Sequence, residues 1–238
     1  MSVAWGQVAL AALWGGVVAL ERKAFLQAML SRPLVAATVM GLLLGDVPSG
    51  LFVGMFLELF YLGAANLGAS LPENDTLAAT GTAAAAACMA LATGAGSTPA
   101  LWSIALLVFI PLGRAGRLLD RRLEAYSARL AAVALSAAEA GHLNRAVRQN
   151  LWGMWPHFVI YGAATAACAV AGFALGPLAE RLPLGLLRGL AWAYPAMGSV
   201  AAAIAARGSN ARRAHLWALV GAGAGLLLVG ALALRSGR

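Results

Sequence analysis

Charge is what this chain of 238 residues has least of: Asp, Glu, Lys and Arg together make up 11% of it, where soluble domains carry about 25%. A chain so poor in charge cannot cover a water-facing surface, which excludes an ordinary soluble globular protein. Cysteine is nearly absent. Cys88 and Cys168 both lie in apolar stretches, with no ligand spacing for zinc or an iron–sulfur cluster, and read as small buried hydrophobes. There is no P-loop, no HExxH and no Ser/His/Asp set. The three histidines, His142, His157 and His215, stand apart from any Gly-rich or acidic cluster, which argues against phosphoryl transfer by any of them. The chain is therefore not expected to be an enzyme, and no metal or cofactor is expected in it.

What it has in abundance is apolar sequence, 61% of the chain, gathered in blocks. Residues 1–20, Thr76–Gly113, Phe158–Ala179, Gly189–Ala206 and Ala214–Leu234 carry no charged residue. A helix crosses a hydrocarbon core in about 20 residues, so several blocks suffice for one pass and Thr76–Gly113 for two. The first block has no basic residue ahead of it; Glu21, Arg22 and Lys23 follow it, the order of a first transmembrane helix rather than a signal peptide. The formal charge of +8 sits between the blocks, as in Arg114, Arg117, Arg121, Arg122 and Arg129. That distribution points to loops on the cytoplasmic side, beside anionic membrane lipid, and not to nucleic acid.

The fold class expected is an all-α polytopic integral membrane protein with discontinuous or re-entrant helices, one membrane domain over residues 1–238. Helix one is expected at Val3–Leu20, with a polar connector to Arg32 and a helix start at Pro33. Within 33–83 the apolar runs Pro33–Gly45 and Gly50–Gly63 are each too short for a full crossing and are broken by glycine and polar residues. Such segments read as re-entrant. Alanine-rich helices broken near Gly94–Pro99 come next. Over 114–140, Leu119, Leu123, Tyr126, Leu130 and Val133 form one stripe, and Arg114, Arg117 and Arg121 another; this is an amphipathic, basic, interfacial helix, or else a docking face for a soluble partner. Gly141–Asn150 reads as a polar loop, before apolar blocks at about 151–176, 184–206 and 214–234.

Three residues stand out as substrate ligands. Glu58 lies in an apolar run with no basic residue within a turn, and a charge at the bilayer centre costs about 2.5–3.5 kcal/mol. It is held there by a ligand-binding role or, alternatively, as a protonated or arginine-paired structural acid. Asn66 lies two turns on, and an amide beside a carboxylate suits a polyhydroxylated ligand. Asp46, before Pro48 and Gly50, is either a third ligand or a turn cap. Glu73 and Asp75 read as solvated loop or cavity-rim residues.

The stretch from Arg32 to Ala83 contains Arg32-Pro33-Leu34, Gly41 to Gly45-Asp46, Leu57-Glu58, Leu62-Gly63, Asn66-Leu67-Gly68-Ala69, Pro72 and Gly81-Thr82-Ala83. It resembles the N-terminal signature of the IIC subunit of the mannose/fructose/sorbose phosphotransferase-system permeases. The second half matches only in kind. Asn74 and Asp75 stand where the family has a proline–proline–aspartate turn. The resemblance implies a sugar-translocating subunit of the bacterial cytoplasmic (inner) membrane, oligomeric with a IID-type membrane subunit. Soluble IIA and IIB phosphocarriers would phosphorylate the sugar, and no phosphorylated residue is implied in this chain. It also implies that Glu58 and Asn66 lie near the sugar. Two rivals remain at this point: a membrane scaffold for phosphocarriers that transports nothing, and a small-molecule transporter that works alone.

Overall fold

The computed structural model describes residues 3–62 and 71–208, together with 216, 219 and 220. Among the described residues the secondary structure is helical throughout: α1 (Trp5–Lys23), α2 (Pro33–Leu44), α3 (Val47–Leu62), α4 (Asp75–Thr93), α5 (Pro99–Phe109), α6 (Leu112–Glu139), α7 (Leu143–Trp152), α8 (Trp155–Glu180) and α9 (Leu184–Gly208). Four helical stretches among these residues are long and apolar enough to cross a bilayer: Asp75–Thr93, Pro99–Glu139, Leu143–Glu180 and Leu184–Ala206. The chain is a multi-pass membrane protein. The 19-residue α1 is not among the four, because Gln7 and the terminal Glu21 and Arg22 lower its apolar content. The expected block at 214–234 lies almost wholly outside the described residues.

The bundle is organised around α4. Every residue from Thr76 to Ala90 is buried, so this helix has no lipid- or water-facing side. A helix apolar all round belongs in a core, and side chains this small let neighbouring backbones come close. α8 uses that closeness on one side, with Gly176 set against Ala92 and the Met89 carbonyl. On its other side α8 meets α1, where a Cβ on Gly162 would lie 2.7 Å from the Ala12 carbonyl oxygen. α9 is fastened to α3 and α5 by polar ties: the Tyr194 hydroxyl donates to the Phe52 carbonyl at 2.8 Å, and Ser103 Oγ donates to the Leu190 carbonyl at 2.7 Å. Trp102 stacks on Phe52 with centroids 4.4 Å apart and donates from Nε1 to Ser49 Oγ at 3.0 Å.

The segment after Arg32 forms a tight helical hairpin. α2 ends at Gly45, whose φ of +82° is left-handed, and the Asp46 N–H reaches back to the Gly41 carbonyl at 2.8 Å. This is the glycine-terminated helix end in which the carbonyls of the last turn are satisfied from beyond it. α3 starts at once, and its side chains meet those of α2 in reverse order. Gly50 faces Gly41, Gly54 faces Pro33 and Leu34, and Glu58 faces Arg32. The helices have 12 and 16 residues, or about 18 and 24 Å at 1.5 Å per residue, both short of a core about 30 Å thick. An antiparallel pair of such lengths is the geometry of a re-entrant hairpin.

One expectation from sequence needs correction, the polar loop at Gly141–Asn150. Residues 143–152 are not loop but a helix, α7, packed beside α6; the scarcity of long apolar runs there hid its helical periodicity. On α6, Leu123 of the apolar stripe is buried against Ala19, Leu77 and Tyr161, while Tyr126 and Val133 face outward, exposed.

Candidate functional site

The polar residues of this apolar chain gather at one end of the bundle. The last turn of α1 brings Glu21, Arg22 and Lys23 there, the start of α2 brings Arg32, and the end of α3 brings Glu58 and Tyr61. The start of α4 adds Glu73 to Thr76, and the first half of α6 adds Arg114 and Asp120. Apart from Asp120, which lies inside α6, these are near helix ends, because the apolar blocks are flanked by charge.

At its centre is Asp120, 2% exposed. Its carboxylate accepts from the Tyr161 hydroxyl at 2.7 Å, from Asn74 Nδ2 at 3.0 Å and from Arg22 Nη1 at 3.2 Å. Asn74 also caps α4, its Oδ1 accepting from the Leu77 N–H at 2.8 Å. Arg22 reaches further, to Asp75 at 3.3 Å. Glu21, 2% exposed, accepts the backbone N–H groups of Leu30 at 3.1 Å and Ser31 at 2.8 Å. It therefore fixes the connector that delivers Arg32. A buried charge needs a partner of opposite sign or hydrogen bonds to hold it: Asp120 has both, in Arg22 and its other donors, and Glu21 has the two backbone N–H groups. The space left among Arg22, Asn74, Asp120 and Tyr161 is about 10 Å³, room for one water at most. This part of the cluster is a strut, not a ligand site.

Beside it opens a cleft of about 530 Å³, within the usual size of a small-molecule site. Arg22, Arg32, Tyr61, Glu73, Asp75 and Arg114 supply its polar lining. Glu73 pairs with Arg114 Nε at 3.1 Å. Glu58 pairs across the hairpin with Arg32, a wall residue of the cleft, and also accepts the Leu34 N–H at 3.2 Å. The Tyr61 hydroxyl is buried without a hydrogen-bond partner among the described residues. Carboxylates that accept, guanidinium groups that donate and a spare hydroxyl form a set suited to a ligand rich in hydroxyl groups. Among the described residues no group of three or more His, Cys, Asp or Glu could hold a metal ion.

The three residues singled out from sequence fare differently. Glu58 is tied to the cleft through a basic partner, the wall residue Arg32, which is 26 positions away and arrives only through the antiparallel hairpin. Asn66 lies outside the described residues. Asp46 is at the far tip of the hairpin, about 18 Å from Glu58 along α3 at 1.5 Å per residue. One of its oxygens accepts the Ser49 N–H at 3.4 Å, the other is buried without a partner, and the residue opens α3. No single hexose reaches both Asp46 and Glu58. Sequence reasoning missed Asp120, Tyr161 and Asn74. Asp120 was hidden among the six charges of Arg114–Glu124, where nothing local separates a buried acid from a solvated one.

A bundle with short hairpin helices and a charged cleft at one end belongs to the polytopic α-helical membrane proteins with broken helices. Within that class the chain is placed by its sequence. Residues 5–223 match the family described as "PTS system sorbose-specific iic component", and the chain belongs to that family. It is 36% identical over 80 residues to the PTS system sorbose-specific EIIC component of Lacticaseibacillus casei, covering 34% of this chain and 28% of that protein. It is 49% identical over 47 residues to the sorbose-specific EIIC component of Klebsiella pneumoniae, and 43% identical over 47 residues to the mannose-specific EIIC component of Escherichia coli. Each of these two matches spans 20% of this chain and 18% of the relative. In three dimensions the chain resembles a structure titled "Structure of membrane protein", with a TM-score of 0.64, 20% identity, and 97% of this chain and 94% of that chain covered. It also resembles a chain from a cryo-EM structure of the mannose transporter ManYZ in complex with a microcin, with a TM-score of 0.59, 20% identity, and 98% and 94% covered. At that identity the likeness establishes the fold.

Proposed function

We propose that this chain is the sugar-translocating membrane subunit of a mannose/fructose/sorbose-type phosphotransferase system in a bacterial cytoplasmic membrane. It passes a hexose or related sugar inward, and partner subunits phosphorylate it. The observation that carries the proposal is the Arg32–Glu58 pair, set by two short helices beside a hydroxyl-compatible cleft in a chain that otherwise avoids charge. Family membership and the sorbose- and mannose-specific relatives support the same reading.

In this account sugar hydroxyls compete for the pair. A hydroxyl donates to the Glu58 carboxylate while another accepts from Arg32, so the sugar trades its hydration for groups already ordered by the hairpin. Asn66 is the second sugar ligand in this reading, on the family resemblance of its Asn66-Leu67-Gly68-Ala69 run. Asp46, at the far tip, keeps the hairpin closed. Breaking and remaking the Arg32–Glu58 contact would distinguish an empty state from a loaded one, the differential interaction that alternation between two states requires. The partners are a IID-type membrane subunit, with which the chain forms an oligomer, and soluble IIA and IIB phosphocarriers.

Binding tests the site directly. Purified chain co-expressed with its IID-type partner should bind radiolabelled mannose or sorbose in equilibrium dialysis, and Glu58→Gln should weaken binding at least ten-fold, since a hydrogen bond to a charged group contributes about 1.5–3 kcal/mol. Unchanged binding by the variant would remove Glu58 from the site. An assembled complex that binds no sugar but still recruits phosphocarriers would favour the scaffold reading instead.

A further inference from the structure

The helix that the sequence disguised as a loop has a face with nothing on it. None of the residues of α7 is buried. Helical spacing sets Leu143, Val147 and Leu151 in one stripe, and they are 67%, 60% and 54% exposed. Trp152 and Trp155 follow at the turn into α8, 56% and 59% exposed. α7 runs into α8 within the stretch Leu143–Glu180, which is long and apolar enough to span a bilayer. The short helix therefore joins a spanning helix at its end, where hydrocarbon meets headgroups, and tryptophan is enriched at that depth.

The charge around it is mostly basic. From Ala125 to Met154 the basic residues are Arg129, Arg145 and Arg148, and Glu139 is the only acid. Among the described residues neither Arg145 nor Arg148 forms an ion pair. A helix with an apolar stripe, flanking arginines and tryptophans at its exit has the composition of a segment lying in the interface of an anionic membrane.

We propose that α7 docks on the bilayer surface and recruits anionic phospholipid, with the Leu143–Val147–Leu151 stripe among the upper acyl chains and Arg145 and Arg148 at the lipid phosphates. A phosphatidylglycerol-type headgroup matches the local charge. The helix holds the α6–α8 junction at a fixed depth, and the inference is independent of which sugar is carried.

The test uses the whole chain in vesicles of phosphatidylcholine and phosphatidylglycerol in equal amounts. Val147→Cys is labelled with an environment-sensitive fluorophore; Cys88 and Cys168 are buried and stay unlabelled in the folded protein. Leu143→Cys reads the same stripe one turn earlier, should the first label disturb the helix. The label is expected to be quenched by nitroxide on lipid chains and shielded from aqueous dithionite. Nitroxide on phosphatidylglycerol should quench it as though that lipid were enriched about five-fold per arginine, the preference an arginine confers near an anionic surface. In Arg145→Gln/Arg148→Gln the enrichment should fall to parity while the label stays shielded. A label open to dithionite would overturn the proposal, and so would equal quenching by the two lipids in the unsubstituted helix. A label shielded from both dithionite and lipid nitroxide would overturn it too, and would assign the stripe to a protein subunit.

Discussion

Replacing Asp120 by Ala removes one acceptor from three donors at once: the Tyr161 hydroxyl, the Asn74 amide and the Arg22 guanidinium. Arg22 keeps Asp75 at 3.3 Å and the Tyr161 hydroxyl keeps the Gly116 carbonyl at 3.3 Å, but the buried Asn74 amide is left without its acceptor. Breaking a buried, hydrogen-bonded pair by removing one partner costs about 3–5 kcal/mol. For a chain of this length each kcal/mol lowers Tm by about 2–4 °C, so a fall of about 6–20 °C is expected. Asp120→Asn keeps an acceptor for Tyr161 and gives up the charge toward Arg22, and should cost about half as much, near 1.5–3 kcal/mol. The chain carries its own reporter: Cys88 and Cys168 are buried and free, so a thiol-reactive fluorogenic dye lights up only on unfolding. Dye-detected melting of purified protein in detergent, for wild type, Asp120→Ala and Asp120→Asn, reads all three. A fall below about 2 °C for Asp120→Ala would mean that the cluster contributes nothing to stability, and the strut reading would fail.

Other expectations follow from single contacts. In Gly41→Ala the new Cβ would lie 2.6 Å from the Asp46 carbonyl oxygen and 2.9 Å from the Gly50 Cα, both backbone atoms that yield only if the hairpin opens. A cost of about 1–3 kcal/mol is expected in the same melting assay, and an unchanged Tm would contradict the close approach. Trp102→Phe takes from Ser49 Oγ its donor at 3.0 Å, with a loss of about 1–3 kcal/mol; adding Ser49→Ala should recover part of it in a double-mutant cycle. Arg32→Gln leaves Glu58 without its cation, so this variant should accumulate in the membrane less than Arg32→Gln/Glu58→Gln does, as measured by membrane abundance of the two proteins.

Much of this architecture is legible from residue order because a bilayer is a demanding solvent. The split between α2 and α3 shows at Gly45-Asp46, where a glycine that ends one helix meets an acid that opens the next. The short length of both runs forbids full crossings. The break at Gly94–Pro99 and the amphipathic helix from Leu112 are visible for the same reason. What escaped was set by long-range geometry. Arg32 is far from Glu58 in sequence, and only an antiparallel hairpin joins them. Asp120 is one of several charges in a basic helix and becomes special because Asn74, Arg22 and Tyr161 converge on it from three other segments. Glu73 and Asp75 were expected on a solvated rim; they line the cleft, but paired with Arg114 and Arg22. α7 was misread because ten residues with two arginines and two asparagines look like a loop until the spacing of Leu143, Val147 and Leu151 is taken as a helix face.

The measurement that bears most directly on the central claim is sugar uptake in bacteria lacking their own mannose permease, expressing this chain with the IIA, IIB and IID subunits proposed for it, as wild type or as Glu58→Gln. With equal amounts of both proteins in the membrane, the account predicts that radiolabelled hexose accumulates as sugar phosphate with wild type, and that Glu58→Gln lowers the rate by at least ten-fold. Uptake unaltered by Glu58→Gln would contradict the site, and an assembled complex that admits no hexose would contradict the function.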